Sequence, residues 1–486
     1  MALRTPEQYE SDLRKLDKEI YMFGEKLDDW TEHPIIKSAI NAQKVGFELA
    51  QLEEFQDEMT MESTLTGDRV SRYVQLHTSV DDLIKRLFLN FTVQPRIGSC
   101  HGARCSGTHV INVLWAVTYD MDKSLGTDYH ERFKKWVKMI QEEDLTCTLC
   151  ATCVGGDRSK RPSEQVDPDL NTHIVERKKD GIVIRGAKMY MSTAPEAEWH
   201  VMMSPGGYRE DEEDYSFACA VPANAKGLIY IHEWPAVNAA RIQEGADIDL
   251  GISTYGVHGS AMIVLDDVFV PYEHVFFCGE TQFGREIGQL TGAIQRVAAC
   301  ACKAGTIDIM AGAAVLAAEA NGLDWKKVPH IRDKVVRIVT LAAQLKGCVV
   351  GASAMAGKHP SGIYVPDIVT ANAAKLLEAE SSIEASALLL NVAGGLAGTL
   401  PSERDLKNPA TKKYLEKYLQ ANPDVSVEDR MKVMRLCEYL GGVSSTLQVQ
   451  AIHTGVSPEG QKMAIAGNAD MEKLIGYARN LANIKE

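Results

Sequence analysis

The sequence is short of basic residues and has no long uninterrupted apolar run. Its 486 residues include 52 Lys and Arg against 66 Asp and Glu, so the formal charge is −14 at pH 7. An acidic surface does not attract nucleic acid or an anionic membrane, and neither is expected as a partner. The most apolar stretches, near 309–320 and 335–356, are too short or are interrupted by charge, so neither is predicted to span a membrane.

Internal repeats, low-complexity tracts and long linkers are lacking as well. The opening stretch MALRTPEQYESDLRKL has no apolar segment of the kind that a secretory signal needs, which predicts a cytoplasmic protein. Hydrophobic residues make up 45% and charged residues 24% of the chain, a composition typical of soluble globular proteins. The length allows two or three domains with a large buried core.

Cysteine, by contrast, is plentiful. Eleven cysteines in a reducing compartment favour thiols, metal ligands or catalytic groups over disulfides. Seven of them fall in three groups, which are Cys100/Cys105, Cys147/Cys150/Cys153 and Cys300/Cys302. The other four are single and lie in apolar surroundings, where packing in the core is the expected role: Cys219, Cys278, Cys348 and Cys437.

The middle group is a C-x-x-C-x-x-C run inside LTCTLCATCVGGDRSKRP, residues 145–162. The interleaved Thr, Leu and Val residues favour an extended segment over a helix. Gly155 and Gly156 then end that segment and allow the backbone to approach a ligand closely. We expect the chain to fold so that some of the thiols meet beside an organic cofactor.

The hydrophobic pattern divides the chain into three parts. Residues 1–144 are predicted to form an N-terminal helical domain. Residues 145–280 are predicted to form a mostly antiparallel β domain, with a hairpin turn at Asp180-Gly181. Residues 281–486 are predicted to form a bundle of long Ala/Leu-rich helices. Within the first part, Thr5 should cap a helix, and a later helix should bury one apolar face made of Phe133, Trp136, Val137 and Ile140.

Five stretches carry a resemblance to a known family: YMFGEKLDDWTEHP, GGDRSKRPSEQVDPDL, EGADIDLG with VFVPYEHVF, CKAG, and AGGLAGTLPSERD. Together with the helical–β–helical order, they resemble the acyl-CoA dehydrogenase-like flavoproteins. Within these, the chain is most similar to the 4-hydroxyphenylacetate 3-hydroxylase family, in its 4-hydroxybutyryl-CoA dehydratase branch. The resemblance implies an α+β fold with an N-terminal helical domain, a middle β-barrel-like domain and a C-terminal helical bundle.

The resemblance also implies FAD, bound between the β domain and the bundle of a homotetramer built from two tight dimers. Carried over position by position, the flavin-contacting residues would be Thr152, Gly155, Asp157, Arg158, Ser192, Gly394 and Gly395, the two glycines facing the flavin of a neighbouring subunit. An Arg for phosphate and glycines for close approach fit such a ligand. The plain alternative for Asp157 and Arg158 is a surface ion pair.

Members of this branch hold a [4Fe–4S] cluster with three Cys and one His, so the resemblance implies such a cluster here. Cys105 and Cys302 match two of the Cys positions. A one-residue insertion leaves either Cys100 or His101 at the third. The helical spacing favours His101, which would share a face with Cys105, whereas the usual preference of iron–sulfur clusters for thiolate favours Cys100. The histidine position is occupied by Gln295. Cys300, or one of the cysteines of the C-x-x-C-x-x-C run, could replace it.

Other positions expected near the substrate also depart from the family. Two glutamates appear as Ser260 and Gln450, and a tyrosine appears as Ala299, whereas Lys303 is retained. A carboxylate proton acceptor is therefore missing at the usual places. The histidines that could move a proton instead are His453, which the family keeps, and His258, next to the altered Ser260. Each could equally be a structural residue.

Three functions follow from the resemblance. The first is an FAD and iron–sulfur dependent lyase or isomerase that acts on a CoA thioester. The second is a reduced-flavin monooxygenase of phenols, although its Gly-Arg-Ser/Thr-Pro-Asp-Tyr signature reads ARCSGTH at 103–109. The third is a simple acyl-CoA dehydrogenase scaffold. The clustered cysteines favour the first.

Overall fold

A computed structural model describes residues 3–233, 237–252, 255, 259–442 and 451–484. The first 144 residues contain six helices, α1 to α6, and four short strands, β1 to β4. The helices are Pro6–Arg14, Pro34–Gln51, Gln56–Met59, Val80–Ile97, Gly102–Leu125 and Tyr129–Glu142. The strands are Glu19–Met22, Glu25–Lys26, Thr60–Glu62 and Arg69–Ser71.

The middle of the chain is β-rich. Strands β5 to β10 are Cys147–Cys150, His173–Arg177, Gly181–Ser192, Trp199–Met203, Phe217–Pro222 and Leu228–His232. The short helix α7, Val237–Gln243, comes next, followed by β11, Ser260–Pro271, and β12, Val275–Cys278.

The remainder is helical apart from one two-stranded hairpin. Helices α8 and α9 are Gly284–Ala320 and Pro329–Ala354, and the hairpin strands β13 and β14 are Gly357–Lys358 and Tyr364–Val365. Helices α10 to α16 are Ile368–Ala393, Leu396–Thr399, Glu403–Lys407, Pro409–Tyr418, Val427–Leu440, Pro458–Asn468 and Met471–Leu481.

Two sheets form the β-rich part. One has six strands in the order β2-β1-β10-β11-β7-β6, and the other has four in the order β12-β9-β8-β5. The predicted hairpin is confirmed, because β6 and β7 pair antiparallel on either side of Asp180. Most pairings are antiparallel as expected, with two parallel exceptions, β1 with β10 and β5 with β8.

The N-terminal part also contains strand β1, which the helical pattern of the sequence does not predict. Ile20 and Met22 alternate with more exposed neighbours and are buried against the six-stranded sheet. The local predictions in this part are confirmed: Thr5 accepts a hydrogen bond from the Gln8 backbone N–H, and the predicted apolar face of α6 is buried.

Helices α8, α9 and α10 pack around one Ala-rich core that also takes in α14. By length and composition, α8 with its preceding turn (Thr281–Ala320) and α9 could each cross a membrane. Both helices instead lie side by side in the bundle, where 61% and 39% of their most apolar windows are buried. Small residues on these faces allow the close packing that the sequence predicts.

Helix α5 is held against β5 by a glycine. An added side-chain carbon at Gly107 would lie 2.5 Å from Cys147 Sγ and 2.8 Å from its backbone oxygen. The Leu149 backbone N–H also donates to Ser106 Oγ, 3.1 Å away. This contact fixes the position of α5 relative to the four-stranded sheet.

Replacing Gly107 with Ala is therefore expected to destabilise the protein by about 1–3 kcal/mol through overpacking. The thermal unfolding midpoint, recorded under reducing conditions, measures the effect. Gly312→Ala is the matched control, since Gly312 also lies within a helix but no atom would come within 4 Å of the added carbon. Helix propensity predicts that this control is neutral or stabilising by up to about 1 kcal/mol. An unchanged midpoint for Gly107→Ala would contradict the close contact.

Candidate functional site

The site is built at the end of β7, where Ser192 is the last residue of the strand. Ser192 pairs across the sheet with Ser260, the first residue of β11. Upstream on the same strand, the Met189 backbone N–H donates to the Thr152 carbonyl oxygen, at 3.0 Å. At about 3.3 Å per residue, Thr152 therefore lies roughly 10 Å from Ser192 along β7.

The loop after Thr152 has a fixed shape. Gly155 and Gly156 have φ values of +86° and +60°, which L side chains rarely adopt. An added carbon at Gly156 would also meet Gln165 Oε1 at 2.4 Å. The Gln165 side chain accepts from the Asp157 backbone N–H at 2.9 Å and donates to its carbonyl oxygen at 2.8 Å, so the loop is ordered before any ligand binds.

Asp157 and Arg158 do not form the surface ion pair that was the alternative for them. Asp157 Oδ1 accepts hydrogen bonds from the Ser159 backbone and hydroxyl, which lower the pKa of the Asp157 carboxyl. Lys160 Nζ lies 4.0 Å from the same carboxylate. Within the described residues, Arg158 has no hydrogen bond or ion pair, and its guanidinium is exposed. It is thus available to an anionic group such as a phosphate.

The start of α5 touches the end of β7. An added carbon at Gly102 would lie 2.8 Å from Thr193 Oγ1, 2.9 Å from the Ser192 carbonyl oxygen and 3.3 Å from Cys100 Sγ. Gln43 Nε2 donates to the Cys100 carbonyl oxygen at 3.0 Å and fixes the turn before α5. The structure therefore brings the first cysteine group beside the serine that the resemblance assigns to the flavin.

Cys302, on α8, lies near the cysteines at the start of α5. Burial raises the pKa of the Cys302 thiol; the Lys303 ammonium opposes this rise, and the charges of Cys105 and Cys100 add to it. These three thiols therefore lie within electrostatic reach of one another. Cys302 Sγ donates to Gln94 Oε1 at 3.0 Å, and Arg86 donates to Cys105 Sγ at 3.2 Å.

His101 lies at the N-terminal end of α5 with its ring buried. Its Nδ1 hydrogen-bonds to Tyr73 Oη at 2.8 Å, while its Nε2 has no hydrogen-bond partner among the described residues. Burial, together with the charges of Arg86, Arg104 and Lys303, lowers the pKa of His101 to about 3. The ring is therefore neutral, which is the form that binds metals. Three thiols and one orphaned imidazole nitrogen match the donor set of an iron–sulfur cluster.

Cys300 faces a different part of the bundle. Its thiol donates to Glu378 Oε2 at 3.1 Å, and Lys375 forms a fully buried ion pair with that carboxylate. Burial and the facing carboxylate raise the pKa of Cys300 well above its usual value. Cys300 is thus poorly placed to replace the histidine missing at Gln295, and we leave it out of the ligand set.

The C-x-x-C-x-x-C run does not converge on one point. Cys147 and Cys150 are three residues apart on β5, so their side chains point to opposite faces and enter different cores. Cys153 lies beside Lys188, whose buried Nζ donates to Cys153 Sγ at 3.3 Å and to two backbone carbonyls. Burial raises the pKa of Cys153, but Lys188 and Thr172 outweigh it and the net shift is downward.

A carboxylate that the sequence did not predict lies next to Ser260. Glu233 follows β10, and its Oε2 accepts a short hydrogen bond from Ser260 Oγ. The Glu233 backbone N–H also donates to the Ser260 carbonyl oxygen at 2.9 Å. Since Ser260 is paired with Ser192, the carboxylate lies at the same edge as the thiols. In the sequence, Glu233 could have been noticed only as an acidic residue directly after a predicted strand.

The remaining candidates lie further away or outside the described residues. His453 is exposed, and a carbon added at Gly455 nearby would lie 3.8 Å from the Gln295 side chain of α8. Lys303 is buried beside Cys302 and His101. Its positive charge acts to lower the pKa of both groups. Gly394 and Gly395 are exposed at the end of α10, with no atom within 4 Å of an added carbon. His258 and Gln450 lie outside the described residues.

Comparison with known proteins shows similarity along the whole chain. The 4-hydroxybutyryl-CoA dehydratase/vinylacetyl-CoA-Delta-isomerase of Clostridium aminobutyricum is 35% identical, and the alignment covers 99% of this chain and 100% of that protein. The 4-hydroxyphenylacetate 3-monooxygenase oxygenase component of Thermus thermophilus is 24% identical, over 89% of this chain and 87% of its own.

Solved structures agree. The oxygen-tolerant archaeal 4-hydroxybutyryl-CoA dehydratase from N. maritimus superposes with a TM-score of 0.96 at 33% identity, covering 100% of this chain and 96% of that one. The oxygenase component of 4-hydroxyphenylacetate 3-monooxygenase, complexed with FAD and 4-hydroxyphenylacetate, gives 0.86 at 22% identity, covering 99% and 98%, which shows a shared fold. The predicted acyl-CoA dehydrogenase-like α+β fold is confirmed.

The family descriptions complete this assignment. The 4-hydroxyphenylacetate 3-hydroxylase N-terminal description matches residues 5–277, and the C-terminal description matches residues 285–483. Together they cover nearly the whole chain, including every group of residues described above. The chain therefore belongs to the 4-hydroxyphenylacetate 3-hydroxylase family.

Proposed function

We propose that this chain is an FAD and iron–sulfur dependent lyase or isomerase that acts on a hydroxyacyl-CoA or a related substrate. The observation that carries the proposal is the contact of Gly102 with Ser192 and Cys100, because it joins the thiol-bearing helix to the strand end assigned to the flavin. The 35% identical relative, named as a dehydratase and isomerase of CoA thioesters, supports the same reaction class.

FAD would be held along β7 and the loop that follows Thr152. Ser192 offers a hydroxyl at the strand end, Gly155 permits close approach of the backbone, and the unpaired guanidinium of Arg158 suits a phosphate. When bound, the flavin would supply one-electron chemistry, which makes an unactivated C–H bond β to the thioester carbonyl removable. A relative solved with FAD supports this choice of cofactor.

The cluster would be held by Cys100, Cys105 and Cys302, with His101 Nε2 as the fourth donor. The four groups come from the start of α5 and the middle of α8, and the neutral His101 ring needs no deprotonation to act as a ligand. The cluster supplies a Lewis-acidic iron to a hydroxyl leaving group. We expect the reaction to run anaerobically.

We assign proton transfer to side chains near the end of β7. Glu233 is linked to Ser192 through Ser260, and it can accept the proton of the C–H bond that breaks. The C–O bond to the hydroxyl then breaks, and the hydroxyl leaves with a proton as water, so no net oxidation occurs. Lys303, His258 and His453 remain candidates for that second proton.

The substrate is expected to differ from 4-hydroxybutyryl-CoA. Gln295, Ser260 and Gln450 stand where the family resemblance expects an imidazole and two carboxylates. A substrate with a more acidic C–H bond, a better leaving group or a ring that delocalises an unpaired electron would suit the altered site. We therefore propose a related hydroxyacyl-CoA or a cyclic substrate.

The monooxygenase alternative would place its signature at the ARCSGTH stretch, which contains Arg104. This guanidinium is 2% exposed, its Nη2 donates to Asp144 at 2.8 Å and to Ser71 at 3.1 Å, and it lies over the Phe47 ring, while its Nε and Nη1 have no hydrogen-bond partner among the described residues. The lyase is favoured because the dehydratase relative is 35% identical to this chain and the Thermus thermophilus monooxygenase component is 24% identical.

The homotetramer implied by the family stays a proposal, supported by exposed apolar side chains on the bundle. Helix α16, Met471–Leu481, buries no residue, and five of its large apolar side chains are exposed. Gly394 and Gly395 lie open on the same C-terminal part, as they would if a second subunit's flavin approached them. Light scattering of the purified protein measures the assembly directly.

The first test concerns the flavin. The purified protein should contain about one FAD per chain, and Arg158→Ala should lower FAD retention at least tenfold after gel filtration because a phosphate contact is lost. Lys160→Ala is the matched control, a neighbouring cation that already lies near Asp157. Equal retention in both variants would remove Arg158 from the site, and a protein that takes up no FAD would overturn the cofactor assignment.

The second test concerns iron. Cys105→Ser and Cys302→Ser should each abolish iron and sulfide binding in anaerobically purified protein, as measured by chemical analysis and EPR. Cys219→Ser and Cys437→Ser are controls, since both thiols are fully buried in separate cores. Full iron content in both cluster variants would reject the ligand set. Comparing Cys100→Ser with His101→Ala assigns the two remaining positions.

The third test concerns the reaction. We expect anaerobic turnover of a member of a hydroxyacyl-CoA panel, with Glu233→Gln lowering kcat about 10²–10⁴-fold at unchanged FAD and iron content. Glu176→Gln, an exposed carboxylate on β6, is the control and should retain full activity. Turnover of phenols alone, with reduced flavin and oxygen consumed in step, would replace the lyase by a monooxygenase. Full activity of Glu233→Gln would reject only the proposed base.

A further inference from the structure

Three metal-ligating side chains meet far from the flavin edge. Asp120 belongs to α5, Glu286 to the first turn of α8, and His359 to the β13–β14 hairpin. One ligand atom from each lies within 4.8 Å of the other two, and no other group of His, Cys, Asp or Glu in the described ranges is this compact. His359 Nε2 lies 3.0 Å from Asp120 Oδ2.

Within the described residues, the carboxylates of this group have one ion-pair partner, the His359 ring when it is protonated. No Lys or Arg among the described residues forms an ion pair with Asp120 or Glu286. Glu286 Oε1 is inaccessible to solvent and accepts no hydrogen bond within the part of the chain described. Burial and the facing Asp120 carboxylate also raise the pKa of Glu286 to about 8. Two carboxylates with a buried, unsatisfied oxygen need a cation or a proton between them.

The imidazole is already oriented for a ligand. His359 Nδ1 accepts a hydrogen bond from the Ser361 backbone N–H at 3.2 Å and lies 2.9 Å from Ser361 Oγ, so the ring is held with Nε2 turned towards Asp120. The hairpin itself is tied down, since Trp115 Nε1 donates to the Ser361 carbonyl oxygen at 3.2 Å and the Tyr364 backbone N–H donates to the His77 carbonyl oxygen at 2.7 Å. These bonds restrict His359 before any ion binds.

We propose that Asp120, Glu286 and His359 form a binding site for a divalent transition-metal cation. Two carboxylate oxygens and one imidazole nitrogen are ligands that suit Zn²⁺ or Mn²⁺, with water completing the coordination. This site offers hard oxygen ligands and no thiolate. It therefore differs from the cysteine group, whose thiols favour iron–sulfur chemistry.

The position of the site gives it a structural role. Asp120 lies 15 residues after Cys105 on α5, and Glu286 lies 16 residues before Cys302 on α8. At about 1.5 Å per residue, both spacings correspond to roughly 22–24 Å along antiparallel helices. The cation therefore joins α5 to α8 at one end of the pair, while the thiols bring the same two helices together at the other end.

Manganese titration tests the site in the full-length protein after treatment with EDTA and desalting under anaerobic conditions. Free Mn²⁺ is followed by its EPR signal, because Mn²⁺ binds carboxylate and imidazole in preference to thiolate. We expect one saturable Mn²⁺ site per chain, from which Zn²⁺ displaces the manganese. Asp120→Asn, Glu286→Gln and His359→Ala should each weaken Mn²⁺ binding at least tenfold.

Asp308→Asn and His330→Ala are the matched controls. Asp308 is a partly exposed carboxylate on α8 that pairs with Lys346, and His330 is an exposed imidazole on α9. Both controls should bind Mn²⁺ as the unchanged protein does. Absence of a saturable site, or equal losses in controls and ligand variants, would overturn the proposal. Melting temperatures of the metal-free variants identify any that fail to fold, and the remaining ligand variants then decide the outcome.

Discussion

The contact between the start of α5 and the end of β7 is the constraint on which the candidate site depends. It requires glycine at position 102, because a larger residue would collide with the Ser192 carbonyl oxygen and Thr193 Oγ1. Only with that contact in place do the thiols, Ser192 and the Ser260–Glu233 pair share one edge of the sheet. A larger residue at position 102 would push α5 outward and move its thiols away from Ser192.

Electrostatics at this edge would couple binding of the proposed cluster to folding. Burial raises the pKa values of Cys105 and Cys302, so neither thiol ionises readily alone, although Arg86 and Lys303 oppose this rise. Under the proposed function, iron would have to displace protons to bind, and its binding free energy would add to the stability of the folded chain. The same cations keep His101 neutral, so it needs no proton removed.

The sequence predicted the features that local periodicity determines. The Thr5 cap, the buried face of α6 and the β6–β7 hairpin all depend on neighbours a few residues away. Strand β1 was missed because its pairing with β10 is a contact over two hundred residues. The opposite orientation of Cys147 and Cys150 follows from an odd spacing in a strand, and could have been predicted once an extended segment was assigned. Glu233 was missed because only the sheet brings it to Ser260.

At the altered positions of the chain, the expected carboxylate and imidazole groups are missing from the sequence, but other residues bring the same kinds of group close in the structure. Ser260 is too short to act as a carboxylate, yet its hydroxyl donates to the Glu233 carboxylate on the neighbouring strand. Gln295 cannot replace an imidazole, yet His101 has a buried ring nitrogen without a partner, one turn from Cys105. Each regained group comes from a different position in the chain than the residue it would replace, so under the proposed function the same chemistry would meet a substrate of different shape. The substrate would then differ from 4-hydroxybutyryl-CoA because of where the donors stand, while their chemical types are kept.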